Sequence, residues 1–315
     1  MYNEAVPIKL TDGSDRKDLS GPSAVKKRMQ EKVRRIFTME HKTVTRVEEI
    51  TFQYPHHREA VRELITVFQG KEGVIALVFG GSVAKHMERQ DSDIDAMVIV
   101  TPGFYEEVRK VNRTAECIPM GDCAYPGGYF DVKYMTKDYI RDAAEKGSEP
   151  TRNSFIGSKV LFTADPEVPE LIARIPVFQK QEYEDKMLSF YSNLQLNYGY
   201  FWKVCRPEGY MKLRVVSEMV YSLYRMVLQE NEILFPCNRR LEEFVKKAPR
   251  KPEHLVELCE EFCRTFEDEP LDRAVKEWQE WTSYDYPADH AVCQSRYCDD
   301  FEQWWRVPRP LVGEW

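Results

Sequence analysis

Residues 74–79, VIALVF, form an unbroken apolar run between Gly73 and Gly80. So short a run without polar interruption fits a strand covered on both faces, because a half-exposed strand alternates apolar with polar residues. A chain that contains one must build a sheet with a layer on each side. A second run, DIDAMVIV at 93–100, is rich in β-branched residues and reads as the next strand. YFDVKYM at 129–135 sets Phe130, Val132 and Tyr134 against Tyr129, Asp131, Lys133 and Met135, a third strand by alternation. KVLFT at 159–163 reads as a fourth, at a sheet edge.

Helical patterns lie between these runs. Residues 58–70 repeat Val61, Leu64, Ile65 and Phe68 and stop at Gly70, Pro102 opens a helix that reaches Val111, and 137–146 forms another. VAKHMERQ, after Ser82, has room for one or two helical turns. Beyond Gln179 the pattern changes to long helices, punctuated by Pro207, Pro236, Pro249 and Pro270. The expected fold is therefore α+β: a mixed sheet with flanking helices over 23–175, then an α-helical bundle domain over 176–315. Residues 1–22 lack periodicity and read as an arm, and the run from Ser23 to Glu40 reads as an amphipathic helix. Trp304, Trp305 and Trp315 near the end, with Trp278 and Trp281 upstream, are expected to pack the tail against the helices.

The net charge of −7 argues against a protein that wraps a long nucleic acid, since such binding rests on Lys and Arg neutralising phosphates. No segment approaches the roughly 18 apolar residues of a membrane span, and the polar start lacks a secretion signal, so the expectation is a cytoplasmic protein. Eight cysteines without a CxxC pair suit free thiols. Cys259, Cys263 and His254 have partial zinc spacing, but without a second ligand pair core packing is the better reading.

Asp93 and Asp95 are two apart in a strand pattern, so their carboxylates leave one face of the sheet together. Like charges held that close are costly unless a cation joins them, and hard carboxylate oxygens suit Mg2+. Gly80-Gly81-Ser82 stands where a buried strand turns, which leaves backbone N–H groups and a hydroxyl to hold a polyphosphate. Asp131 is the candidate third carboxylate; three acids from adjacent strands can hold two magnesium ions, one on a triphosphate and one on an attacking hydroxyl. Lys133 shares the strand face of Asp131 and can neutralise phosphate. Glu218, within an apolar helix pattern, is a candidate base or acceptor contact, with pairing to Arg214 or Arg225 as the alternative.

The series GGS at 80–82, DSDIDAMVIV at 91–100 and FDVKYM at 130–135 resembles the nucleotidyltransferase superfamily of DNA polymerase beta. The helical second half makes the chain more similar to the bacterial antibiotic nucleotidyltransferases, which modify aminoglycosides and lincosamides. The resemblance implies Gly81 and Ser82 as triphosphate contacts, Asp93 and Asp95 as metal ligands and Asp131 as the third carboxylate. It departs at Ala84-Lys85-His86, where those relatives often have Ala-Arg-Gly, so the arginine's phosphate contact would fall to Lys85. The activity it implies is transfer of a nucleoside monophosphate, with ATP as the expected donor, to a hydroxyl of a small acceptor. Alternatives are a protein or RNA acceptor, and a silent nucleotide-binding module. Oligomeric state is not legible in these residues.

Overall fold

The computed structural model describes residues 39–306 and Gly313. The arm at 1–22, the helical pattern from Ser23 through residue 38, and Trp315 lie outside the described residues. Among the described residues no helix is long and apolar enough to cross a membrane.

In chain order the sheet half comprises β1 (Lys42–Thr43), α1 (Pro55–Phe68), β2 (Val74–Gly80), α2 (Gly81–Ala84), β3 (Ile94–Val100) and α3 (Pro102–Lys110). It continues with β4 (Ala115–Ile118), β5 (Phe130–Thr136), α4 (Lys137–Lys146), α5 (Glu149–Ser154), β6 (Lys159–Thr163) and α6 (Val168–Arg174). The strands form one sheet in the order β1-β6-β2-β3-β5-β4. β3 and β5 pair in parallel and the other neighbours are antiparallel. β6 is therefore not an edge: β1 lies outside it, while β4 closes the far side. Neither β1 nor β4 was expected from sequence, because two and four partly exposed residues carry too little pattern.

β2 is buried on both faces, as its composition requires. Leu77 and Phe79 enter one core with Val98, Val132 and the apolar stripe of α1, Ala60, Val61, Leu64 and Phe68. Ala76 and Val78 enter the other with Met97, Ile99, Ile140 of α4 and Leu171 of α6. The helices start where local chemistry permits. Pro55 and Pro102 sit in first turns, where a missing N–H costs nothing. The Thr101 and Thr136 hydroxyls accept from Phe104 N at 3.3 Å and Tyr139 N at 3.1 Å, capping α3 and α4.

The helical half comprises α7 (Tyr183–Gln195), a π-helical stretch Leu196–Trp202, α8 (Gly209–Glu230), α9 (Leu241–Lys247), α10 (Leu255–Thr265), α11 (Asp268–Trp281) and α12 (His290–Tyr297). Its core gathers Phe190, Met219, Leu223, Phe262 and Trp278. The tail expectation is corrected for two tryptophans: Trp304 and Trp305 are 53% and 70% exposed, whereas Trp278 is fully buried.

One buried polar cluster ties the halves together. Glu149, at the start of α5, is fully buried with Lys186 of α7 and Arg225 and Gln229 of α8. Its Oε1 accepts from Lys186 Nζ at 2.9 Å and Gln229 Nε2 at 2.6 Å, and its Oε2 from Arg225 at 3.3 Å and Phe235 N at 2.9 Å. Such a carboxylate is tolerated out of water only because its oxygens are matched by donors and opposite charge. Removing it withdraws a counter-charge from two buried cations, so Glu149→Ala is expected to destabilise the fold by about 3–5 kcal/mol, read from the urea midpoint.

His57 of α1 is fully buried against Tyr54, His56 and Tyr125, and neither ring nitrogen has a hydrogen-bond partner among the described residues. Burial holds its pKa below the ordinary 6.5, the His56 charge adds to the effect and Glu88 opposes it. The unfolded chain then takes up the proton first, so this stabilising contribution is complete above about pH 6.5 and is lost as pH falls. Thermal melts from pH 7.5 to 5 should show a decline in stability that His57→Phe flattens.

Candidate functional site

β2 ends at Gly80, whose Cα partner in β3 is Asp95, and Asp95 in turn faces Asp131 of β5 in the parallel ladder. The Gly81-Ser82 turn and these two acids therefore meet at one end of the sheet. Along β3 the residues on one face are Asp95, Met97 and Ile99, and along β5 Asp131, Lys133 and Met135. Met97, Ile99 and Met135 are core beneath α4 and α6, and the polar residues continue the same face past the helices. Asp93 precedes β3 by one residue rather than lying within it, yet it opens into the same cleft of about 660 Å³. All the expected residues Gly81, Ser82, Lys85, Asp93, Asp95, Asp131 and Lys133 line that cleft.

Gly81 sits at φ +72°, and a Cβ there would lie 1.7 Å from Asp95 Oδ2. Glycine is thus required by the carboxylate beneath the turn as well as by the backbone conformation. The acids repel one another. Burial pushes the Asp95 carboxyl up to about 6, with the charge of Asp93 next and Asp131 adding, while Lys133 and Lys85 oppose the shift. Lys133 Nζ donates to Asp131 Oδ2 at 2.7 Å and lies 3.7 Å from Asp95 Oδ1, a counter-charge between the two strands. Tyr129 bonds Asp93, which together with burial pushes its hydroxyl up to about 12.

Among the described residues no three His, Cys, Asp or Glu side chains converge tightly enough to cage a metal by themselves. Mg2+ does not need such a cage: it is usually held by one or two carboxylates, with waters and substrate phosphates completing the octahedron. Asp93 and Asp95 fit that requirement, as a coupled acidic pair open to a cleft. Asp131 stands beside them with its charge partly met by Lys133. The zinc alternative has no support: Cys259 is buried, Cys263 is exposed and His254 pairs with Glu277 at 3.2 Å.

Lys85, half-buried at the end of α2, donates to Asn153 Oδ1 of α5 at 2.8 Å. Burial lowers its pKa; Asp95 opposes the shift and the charge of Arg240 adds to it. Asn153 also donates to Leu234 O at 2.9 Å, so one amide joins Lys85 to the segment that enters the helical half. That segment contributes Pro236, Cys237, Arg239, Arg240 and, from α9, Phe244 to the cleft. Asn153, Arg239 and Arg240 were not anticipated; a basic pair just after a proline was the only trace, and nothing in the sequence joins it to residues more than 140 positions earlier. Glu218 is not brought to this cleft. It accepts from Asn193 Nδ2 at 2.9 Å on α7, and Arg225 turns to Glu149.

No protein-family model matches the chain, and no curated protein matches it significantly. Among solved structures it aligns with a nucleotidyltransferase-like protein from Exiguobacterium sibiricum 255-15, with 13% identity, 80% of this chain and 81% of that chain covered, and a TM-score of 0.42. A likeness that remote carries no inference about activity.

Because the acids are held together at a cost, neutralising one relieves the fold. Asp95→Asn is expected to stabilise the metal-free protein by about 1–3 kcal/mol, measured by denaturant titration in EDTA.

Proposed function

We propose that this chain transfers a nucleotidyl group from a nucleoside triphosphate to a hydroxyl and releases pyrophosphate. The observation that carries the reading is the alignment of Asp95 with Asp131 on parallel strands, with Asp93 two residues upstream and the Gly81-Ser82 turn as the adjoining wall. Acids and a close-approach turn at one sheet end suit a polyphosphate handled with a divalent cation. Held by Asp93 and Asp95, with Asp131 as the third carboxylate, Mg2+ would offset the triphosphate's charge and lower the pKa of the attacking hydroxyl.

The protein's own groups bind and orient. Gly81 and Ser82 offer a backbone N–H and a hydroxyl to phosphate oxygens, while Lys85 and Lys133 supply positive charge on either side of the acids. The new bond forms between the acceptor oxygen and the α-phosphorus, in line with the bond to the bridging oxygen that leaves with pyrophosphate. The hydroxyl proton departs to solvent. The cleft, at about 660 Å³, is of the size that takes a nucleotide and a small acceptor. ATP as donor and an antibiotic-like acceptor, an aminoglycoside or a lincosamide, are the specific form of this reading, and they rest on the sequence resemblance.

The test is pyrophosphate release from each of the four ribonucleotides with Mg2+, against a library of small hydroxyl-bearing acceptors. Asp93→Asn and Asp95→Asn should each lower the rate by about 10²–10³-fold. Release that persists unchanged in both variants would rule the reading out.

A further inference from the structure

Opposite the carboxylates, the cleft gathers cations from both halves of the chain. Lys85 comes from the sheet half, and among the described residues no carboxylate oxygen lies within 4 Å of its Nζ; its one hydrogen-bond partner is the neutral amide of Asn153. Arg240, from the helical half, is near enough that its charge acts on Lys85. Its own partners are weak: Glu243 at 3.8 Å and the Met87 sulfur at 3.8 Å. Arg239 has no hydrogen bond or ion pair among the described residues. Both arginines line this cleft and an adjoining cavity of about 600 Å³ that shares Ser82 and Asp93 with it.

The Asp95 charge reaches Lys85 and Glu243 pairs with Arg240 only at 3.8 Å, so the three positive groups facing one space are incompletely balanced, repel one another, and are relieved when an anion enters. They are also held there by more than surface chance. Asn153 anchors both Lys85 and Leu234 O, and Glu149 anchors Phe235 N, so α5 fixes the approach to the arginines from one side and Lys85 from the other. Guanidinium groups present paired N–H donors that match phosphate oxygens.

We propose that Arg239 and Arg240 complete, with Lys85, a phosphate-binding clamp that spans the two halves and takes the terminal phosphates of a polyphosphate or a phosphate group on the acceptor. The identity of that ligand rests on the transferase reading; the clamp itself does not. It also sets a condition on the acceptor, since a polycationic molecule would be repelled by this wall until a phosphate had neutralised it.

Inorganic tripolyphosphate is the probe, titrated calorimetrically in EDTA into the full chain carrying Asp93→Asn and Asp95→Asn, which removes both the acids' repulsion and turnover. Adding Arg239→Gln and Arg240→Gln should weaken binding by about tenfold or more, and Lys85→Gln by a comparable factor. Gln at the arginine positions breaks no strong contact, and an unchanged melting curve verifies that the variant is folded. Absent binding, or an affinity within twofold in the folded arginine variant, overturns the clamp. Displacement of tripolyphosphate by ATP but not by adenosine supports it with a nucleotide ligand, and displacement by glucose 6-phosphate but not by ATP supports it with an acceptor phosphate. Tripolyphosphate binding that depends on the arginines, in a chain whose wild type releases no pyrophosphate, would retain the clamp and remove the transferase reading alone.

Discussion

The carboxylate of Glu149 is the constraint around which the rest is arranged. A buried charge is stable only with its oxygens fully matched, and the donors that match this one come from α7, α8 and the backbone of Phe235. The sheet half and the helical half therefore cannot slide against each other without stranding a charge away from water. Phe235 lies four residues before Arg239, so the placement of the cleft's second wall follows from the same requirement. An apolar contact of similar area would hold the halves together but would not define their register so sharply, because apolar packing lacks direction.

The cleft is polarised across its width. Acids occupy the end of the sheet, and cations occupy the turn after β2 and the entry to α9. Each wall is unfavourable alone: burial and the charge of Asp93 push the Asp95 carboxyl up to about 6, and Lys85 is held in partial burial against an amide. The two packed faces of the sheet carry this cost, with β2 fully covered between α1 on one side and α4 and α6 on the other. Stability is spent at the site and recovered in the cores, a common division where binding requires like charges to be gathered.

What was legible in the sequence follows the range over which each signal acts. The strands β2, β3 and β5 and helix α4 were readable because period and apolar runs are local; alternation placed Asp93 with Asp95, whereas their meeting with Gly81 and Asp131 was implied by the family resemblance. Asp93 moved just outside its strand without leaving the cleft. β4 was missed because Ala115–Ile118 is only four residues long and alternates exposed with half-buried positions, too short a stretch to carry a pattern. Asn153, Arg239 and Arg240 were invisible for a different reason: Asn153 matters through its contacts with Lys85 and Leu234, and the arginines through the cleft they line, both of which only the folded chain creates. Glu218 shows the converse error, an acid in an apolar helix pattern whose partner proved to be a neighbouring helix's amide.

Helix α5 is only six residues long, yet it carries both Glu149 and Asn153. Four residues apart, they lie about one turn from each other and act as a two-pin plug, one pin set in the helical half and the other against Lys85 after β2. One inserted or deleted residue between them would rotate the pins by about 100° and uncouple them. The length of this one short helix, which contains no acid proposed for the chemistry, is therefore fixed by contacts at both of its ends.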